Sequence, residues 1–267
     1  MSTPALQSRL PLVGTTVFST MSALASQHGA VNLGQGFPDF GCDPRLLDAV
    51  NEAMRAGFNQ YPLMTGVPAL REAIAAKIAT LYGHAYDAAT EITVTAGATQ
   101  ALTTAILCCV HPGEEAIVIE PAYDSYAPAI ALAGGVVVPL EMEVNEDGYS
   151  VPWQKVAAAV TARTRLIVIN SPHNPTGSVL RRADLDELAA RAFVVSSFGK
   201  TYHVTGWKLG YVAAPPGLTA EFRKVHQYNV FTVNTPMQHG LAAYILDPAP
   251  YLQLSVFYQL KRDLFRA

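Results

Sequence analysis

Along the 267 residues the spacing of apolar positions changes period, and the changes sort the chain into helices and strands. From Thr65 onward Leu70, Ile74, Ile78 and Leu81 recur at helical spacing. Pro68 suits the first turn, where a missing N–H costs nothing, and Gly83 suits a left-handed cap. The pattern predicts a helix there. Beyond it come short β-branched runs at 91–95, 116–120, 136–140, 166–170, 193–197 and 209–213. Several are apolar throughout rather than alternating, the signature of strands covered on both faces. Helical segments at 98–109, 126–133, 153–160 and 182–190 separate them, so the predicted class is α/β, a three-layer α/β/α arrangement around a mainly parallel sheet. The tail, 251–267, reads as an amphipathic helix. The first 44 residues, rich in turn formers (Gly34, Gly36, Pro38, Gly41, Pro44) and poor in periodic runs, read as an arm laid over a domain.

Half of the composition is apolar, enough for a sizeable core, and 18 basic against 21 acidic residues leave a net charge of −3. Nothing in that balance supplies the basic face that nucleic acid or anionic lipid requires. The three cysteines, Cys42, Cys108 and Cys109, are odd in number and form no CxxC pair, which argues against a disulfide framework or a structural zinc site. No metal is expected. No run reaches the roughly 18 apolar residues of a membrane span, and residues 1–12 lack a charged stretch followed by an apolar core. A cytoplasmic, membrane-free protein is expected.

Ligands of open α/β sheets bind beyond the carboxyl ends of the strands, which directs attention to four loops. Ala96-Gly97-Ala98-Thr99-Gln100 puts small residues and free N–H groups at a helix start that would attract a phosphate; taken alone, such a turn is more often plain packing. In Pro121-Ala122-Tyr123-Asp124-Ser125-Tyr126, Tyr123 could stack on a flat heterocycle or be an ordinary half-buried tyrosine. Within Asn170-Ser171-Pro172-His173-Asn174-Pro175-Thr176-Gly177, Asn174 precedes a proline and is pushed toward an extended conformation; His173 reads as a turn residue. The strongest signal runs from Ser196 to Gly210. It sets Lys200 after a strand among hydroxyls, glycines and aromatics, where partial desolvation would prepare it for Schiff-base chemistry and a second lysine and a serine could hold a phosphate.

With these loops in this order the chain resembles the class I/II aminotransferases of the pyridoxal-phosphate fold-type I superfamily. Leu33-Gly34-Gln35-Gly36-Phe37-Pro38-Asp39-Phe40 and Val195-Ser196-Ser197-Phe198-Gly199-Lys200-Thr201-Tyr202-His203 resemble in particular the methionine and kynurenine/glutamine aminotransferase branch. The resemblance implies that Lys200 holds pyridoxal 5′-phosphate as a Schiff base and shuttles the substrate Cα proton. It implies that Gly97, Ala98, Thr99, Ser197 and Lys208 cradle the phosphate, that Tyr123 stacks on the pyridine and that Asn174 bonds the ring oxygen and the substrate carboxylate. Gly36 would approach the substrate through its backbone. Tyr61, in Asn59-Gln60-Tyr61-Pro62, matches a tyrosine that reaches the phosphate of the neighbouring subunit, which implies a homodimer. The implied substrates are an L-amino acid of methionine, aromatic or glutamine type and a 2-oxo acid.

The chain also departs from that pattern. In the family a strand carrying an Asp-x-x-Tyr motif lies between a helix resembling 182–190 and the lysine strand; here the two follow directly, so a deletion is expected near Ala190 and Arg191. That aspartate pairs with the pyridinium nitrogen through a charge-assisted hydrogen bond of about 1.5–3 kcal/mol, and its loss would weaken carbanion stabilisation. Residues 1–44 would then be an arm with part of a small domain and 45–267 the large cofactor-binding domain. The rest of the small domain, with the arginine that grips the substrate carboxylate, would be absent. Two further readings stay open: a carbon–sulfur β-lyase on the same scaffold, and a non-catalytic remnant that binds the cofactor.

Overall fold

The computed structural model describes residues 6–11, 13–36, 38, 40–146, 148–186 and 192–267, the last two of 148–186 by backbone alone. In chain order the elements are α1 (Val17–His28), α2 (Pro44–Arg55), α3 (Pro68–Tyr82), β1 (Ile92–Thr95), α4 (Gly97–Cys109), β2 (Glu115–Glu120) and α5 (Tyr126–Leu132). Then follow β3 (Val136–Glu141), β4 (Glu143–Asn145), β5 (Gly148–Ser150), α6 (Trp153–Ala159), β6 (Thr164–Val168), α7 (Arg182–Asp186) and β7 (Val194–Ser197). The last are α8 (Phe198–Thr201), a 3-10 turn at Thr205–Trp207, β8 (Gly210–Ala213), α9 (Pro216–Asn229), α10 (Thr235–Tyr244), α11 (Ala249–Leu252) and α12 (Leu254–Arg266). The helix expected over 182–190 is present as α7; its last four residues lie outside the described ones. Among the described residues no helix is long and apolar enough to cross a membrane.

The chain forms two compact units, residues 1–36 with 105–190 and residues 37–104 with 191–267. In the first, β2 lies between β3 and β6 and is parallel to both, with Ile117 opposite Val138 on one side and Ile167 on the other. Ile117, Ile119, Met142 and Val156 form the core beneath this sheet. A short antiparallel hairpin, β4–β5, follows β3 as a separate two-stranded sheet. Helix α1 falls inside the stretch read as an arm without periodic runs. No residue of it is buried, so end chemistry rather than an apolar stripe marks it: Thr16 accepts from the Ser19 N–H and Gly29 closes it at φ 60°.

In the second unit β8 lies between β1 and β7 and runs antiparallel to both. The parallel pairing expected from the continuous runs is thus found around β2, while β8 returns against its neighbours after the short connection that carries α8. Helix α3 forms as predicted, with Pro68 in its first turn and Gly83 at φ 69° as its cap. It buries Leu70, Ile74 and Ile78 against Ile92, Val94, Phe198, Leu209 and Leu241. Helix α10 approaches α2 closely because residue 240 is glycine: a Cβ there would lie 2.4 Å from Val50 Cγ2. Arg223 of α9 donates to Thr93 Oγ1 and to the Ile92 carbonyl, at 3.0 and 2.8 Å, and so ties that helix to β1. Among the described residues β6 is bonded only to β2 and β7 only to β8, and no strand forms between 169 and 193.

Candidate active site

Strand register builds the site of the second unit. Gly210, the first residue of β8, pairs with Thr95 at the end of β1 and with Ser197 at the end of β7. The two carboxyl ends, and the helices they lead into, therefore meet on either side of one residue. A Cβ on Gly210 would lie 3.2 Å from the Gly97 carbonyl carbon and 3.3 Å from the Ala98 nitrogen, so the approach requires glycine.

From β1 the chain turns into α4 through Gly97 at φ +79°, a left-handed conformation that a side chain would strain. A Cβ on Gly97 would sit 3.6 Å from Lys208 Cα and 3.7 Å from Lys208 Cε. The space it would take, at the start of α4, is bordered by the Lys208 backbone and by the end of the Lys208 stem. The first N–H groups of a helix have no intrahelical acceptor and carry its positive dipole end. Lys208 itself adopts a left-handed conformation, φ 53° and ψ 48°, at the end of the 3-10 turn. Such strain in a side chain-bearing residue is held only where the surroundings impose it.

From β7 the chain enters α8. Ser197 caps that helix by accepting the Gly199 N–H at 3.1 Å, and its hydroxyl donates to the Leu209 carbonyl at 3.3 Å. Phe198 and Gly199 are buried beneath it, and Lys200 follows, exposed. Packing around its ammonium still removes enough water to pull the Lys200 pKa below the ordinary lysine value. An amine with weakened proton affinity is a better nucleophile toward a carbonyl at neutral pH.

Helix-start amides and an ammonium group are donors that suit a phosphate dianion; the Ser197 hydroxyl, whose single proton goes to the Leu209 carbonyl, would join them only on turning away from that carbonyl. The donor chemistry of Gly97, Ala98, Thr99 and Lys208 in this unit fits the phosphate of pyridoxal 5′-phosphate, and Lys200 is an amine of the kind that its aldehyde requires.

The other expected residues are placed as follows. Tyr61 is 82 % exposed and packs edge-on against Phe231, their rings 5.4 Å apart. With Phe58, Gln60 and His239 it lines a hollow of about 270 Å³ that none of the cradle residues lines. Tyr123, Asn174 and Gly36 belong to the first unit. Tyr123 is half-buried just beyond β2, its ring 5.7 Å from that of Tyr126 at 80°. Asn174 is exposed, and its N–H donates to Asn170 Oδ1 at 2.6 Å, so the Asn-Pro turn is closed by its own side chain. Gly36 is exposed. A cavity of about 330 Å³ in this unit is lined by Tyr126, Asn170 and His173 among others, but by neither Tyr123 nor Asn174.

Sequence reasoning missed Gly210 and Gln100, although both stand in loops it singled out. The signal for Gly210 is a glycine opening a strand beside a phosphate loop. For Gln100 it is a glutamine four residues beyond the last strand peptide, within reach of that N–H.

The sequence model of the family described as Aminotransferase class I and II matches residues 28–193 and 189–265. The methionine aminotransferase of Escherichia coli is 47% identical over 295 aligned positions, which cover 97% of this chain and 76% of the relative. The kynurenine–oxoglutarate transaminase of Dictyostelium discoideum is 32% identical over 94% of this chain and 70% of its own length. A solved structure of an E. coli protein, for which a methionine aminotransferase function was identified, superposes with a TM-score of 0.93 at 46% identity, covering 98% of this chain and 78% of that one. The chain belongs to the class I and II aminotransferases, pyridoxal-phosphate enzymes that move the amino group between amino acids and 2-oxo acids.

Proposed function

We propose that this protein transfers the amino group of methionine or an aromatic amino acid to a 2-oxo acid at a centre built on Lys200. The observation that supports the reading is the convergence at Gly210, where the end of β7 at Ser197 and the start of α4 meet, with Lys208 beside Gly97. The donor preference is drawn from the E. coli and Dictyostelium relatives.

When bound, the cofactor supplies an electron sink for the carbanion left at the substrate Cα. The protein's residues do the remainder. The amides of Gly97, Ala98 and Thr99, with Ser197 and Lys208, anchor the phosphate and so fix the ring's position. Lys200 would supply the amine that holds the cofactor's aldehyde carbon and, its pKa lowered by desolvation, the base for the substrate Cα proton. In this reading Tyr123 stacks on the ring, Asn174 bonds its oxygen and the substrate carboxylate, and Gly36 meets the substrate by backbone.

The protein works as a homodimer in this reading, Tyr61 of each subunit reaching the other's phosphate; its exposure supports an intermolecular role. Residues 1–44 serve as an arm and part of a small domain, and 45–267 as the large domain. A deletion near 190–191 is supported by the family match, whose two segments meet at 189–193, and by an alignment to the E. coli relative longer than the chain itself. The one-sided pairing of β6 and β7 agrees with it. A cytoplasmic location is supported by three half-buried cysteines that stand as thiols rather than disulfides among the described residues.

The test is to incubate the purified chain with pyridoxal phosphate, reduce with borohydride, and map the modified peptide. Adduct on the Lys200 peptide, lost in Lys200→Ala, is expected. An adduct unchanged in that variant would falsify the assignment. Product analysis with methionine then separates 4-methylsulfanyl-2-oxobutanoate with the amino group recovered on the 2-oxo acid acceptor, expected for transfer, from the 2-oxobutanoate, ammonia and methanethiol of γ-elimination; a cysteine S-conjugate in its place reads β-elimination as pyruvate and ammonia.

A further inference from the structure

The peptide leading into the phosphate hollow is held by a side chain of the helix it opens. Gln100 Oε1 accepts the Ala96 N–H at 2.9 Å, while its Nε2 donates to Thr104 Oγ1 at 2.7 Å and to His226 Nδ1 at 3.2 Å. A backbone N–H can only donate, so the bond from Ala96 fixes which end of the Gln100 amide points where. It follows that His226 Nδ1 is an acceptor, and that the neutral ring carries its proton on Nε2.

The far end of this chain of bonds is anchored in α9. His226 is fully buried, with its ring 5.7 Å from that of Phe222 at 20°, and Asn229 Nδ2 donates to the same Thr104 hydroxyl at 2.9 Å. A leucine at 100 would bury its side chain without desolvating an amide, so a polar side chain here must answer to a polar requirement. That requirement is the Ala96 N–H, one residue before Gly97. Gly97, at φ +79°, is the conformationally freest point of the turn, and the amides that follow it are the ones assigned to the phosphate in the reading above.

We propose that Gln100 is a positioning residue for the phosphate cradle. By tethering the Ala96 peptide it keeps the N–H groups of Gly97, Ala98 and Thr99 turned into the hollow, while Thr104 and His226 hold Gln100 in register. The proposal rests on the reading of the α4 start as the phosphate site.

A strut of this kind contributes to binding only through the phosphate. The experiment therefore compares titrations with pyridoxal 5′-phosphate and with pyridoxal, which lacks the phosphate, for wild type, Gln100→Leu and Thr104→Val. Melting temperatures are taken in parallel. Wild type should favour the phosphorylated ligand strongly. Gln100→Leu should reduce that preference roughly tenfold, the scale of one buried hydrogen bond, with pyridoxal binding unchanged. Thr104→Val keeps the side-chain shape and removes one partner of Gln100; it should reduce the preference about two- to fivefold, as one neutral hydrogen bond does. A wild-type preference in Gln100→Leu overturns the proposal, as does an equal loss for both ligands accompanied by a lower melting temperature. Equal affinity of the wild type for the two ligands instead overturns the cradle reading on which the proposal stands.

Discussion

A Cβ added at Gly210 would lie 2.6 Å from the carbonyl oxygen of Ser196. That oxygen is backbone in the adjacent strand and cannot rotate away, so any side chain at 210 must push β8 from β7 or from the start of α4. Gly210→Ala should lower stability by about 1–3 kcal/mol, as overpacking in a rigid surrounding does, and weaken binding of pyridoxal phosphate. Gly206→Ala is the matched control, since nothing lies within 4 Å of a Cβ there. Thermal denaturation of the two variants side by side checks the pair. Equal melting temperatures would refute the packing argument.

Lys208 brings an ammonium group to the border of Gly97, from a left-handed backbone position. Lys208→Met keeps most of the stem and removes the charge. Loss of a charge-assisted bond of about 1.5–3 kcal/mol corresponds to roughly a 10- to 100-fold weaker hold on the phosphorylated ligand. Attachment to Lys200 at saturating ligand should persist, because no bond to the aldehyde is removed. Spectrophotometric titration reads the first quantity and intact mass after borohydride the second. Undiminished affinity in the variant would take Lys208 out of the cradle.

Gln238 is fully buried and bridges two backbone segments, accepting the Val67 N–H at 2.8 Å and donating to the Val233 carbonyl at 2.9 Å. Val67 immediately precedes α3, so the bond fixes how that helix enters the core. Gln238→Leu leaves both backbone groups buried without this partner and should cost about 1–3 kcal/mol for each group left unsatisfied. Urea denaturation measures it. A variant within about 0.5 kcal/mol of wild type, the range of a neutral surface change, would mean that water or a backbone shift replaces the amide.

What was legible in the sequence follows from what leaves a periodic or chemical trace. Helix α3 was readable because Leu70, Ile74 and Ile78 all face one core and Pro68 and Gly83 mark its ends. Strands β2 and β8 were readable because burial on both faces forces near-continuous apolar runs, and β1 because Ile92, Thr93, Val94 and Thr95 are all β-branched. Direction was not: the side chains of β8 carry no record that it runs against β1 and β7. The β4–β5 hairpin, with three residues in each strand, is too short to show a period, and α1 shows only its caps. In the candidate site, the loops that carry Gly97, Ser197, Lys200 and Lys208 stood out in the sequence as small, hydroxyl-bearing and basic residues around strand ends, and the structure brings Ser197 and Gly97 to either side of Gly210. Gln100 itself did not, because a glutamine inside a helix looks the same whether it faces water or tethers a peptide; only the bond to Ala96 separates the two.

His226 makes the stability of the fold depend on pH in a direction that can be worked out. Burial pushes its pKa down to about 4, against 6.5 for an ordinary histidine, and the neighbouring Arg223 guanidinium acts in the same sense. Between these values the unfolded chain binds a proton that the folded chain refuses. The contribution is therefore complete above pH 6.5 and is lost as the pH falls toward 4, by an amount of up to about 3 kcal/mol. Protonation also ends the acceptor role of Nδ1 toward Gln100, so the hold on the Ala96 peptide should loosen over the same interval. His226→Gln removes the titrating group while leaving a carbonyl oxygen to accept from Gln100. Denaturation midpoints measured from pH 7 to pH 4 should fall more steeply for wild type than for the variant. Parallel curves would show that the histidine takes up its proton in the folded state without penalty, and would remove the physical basis for a neutral ring at that position.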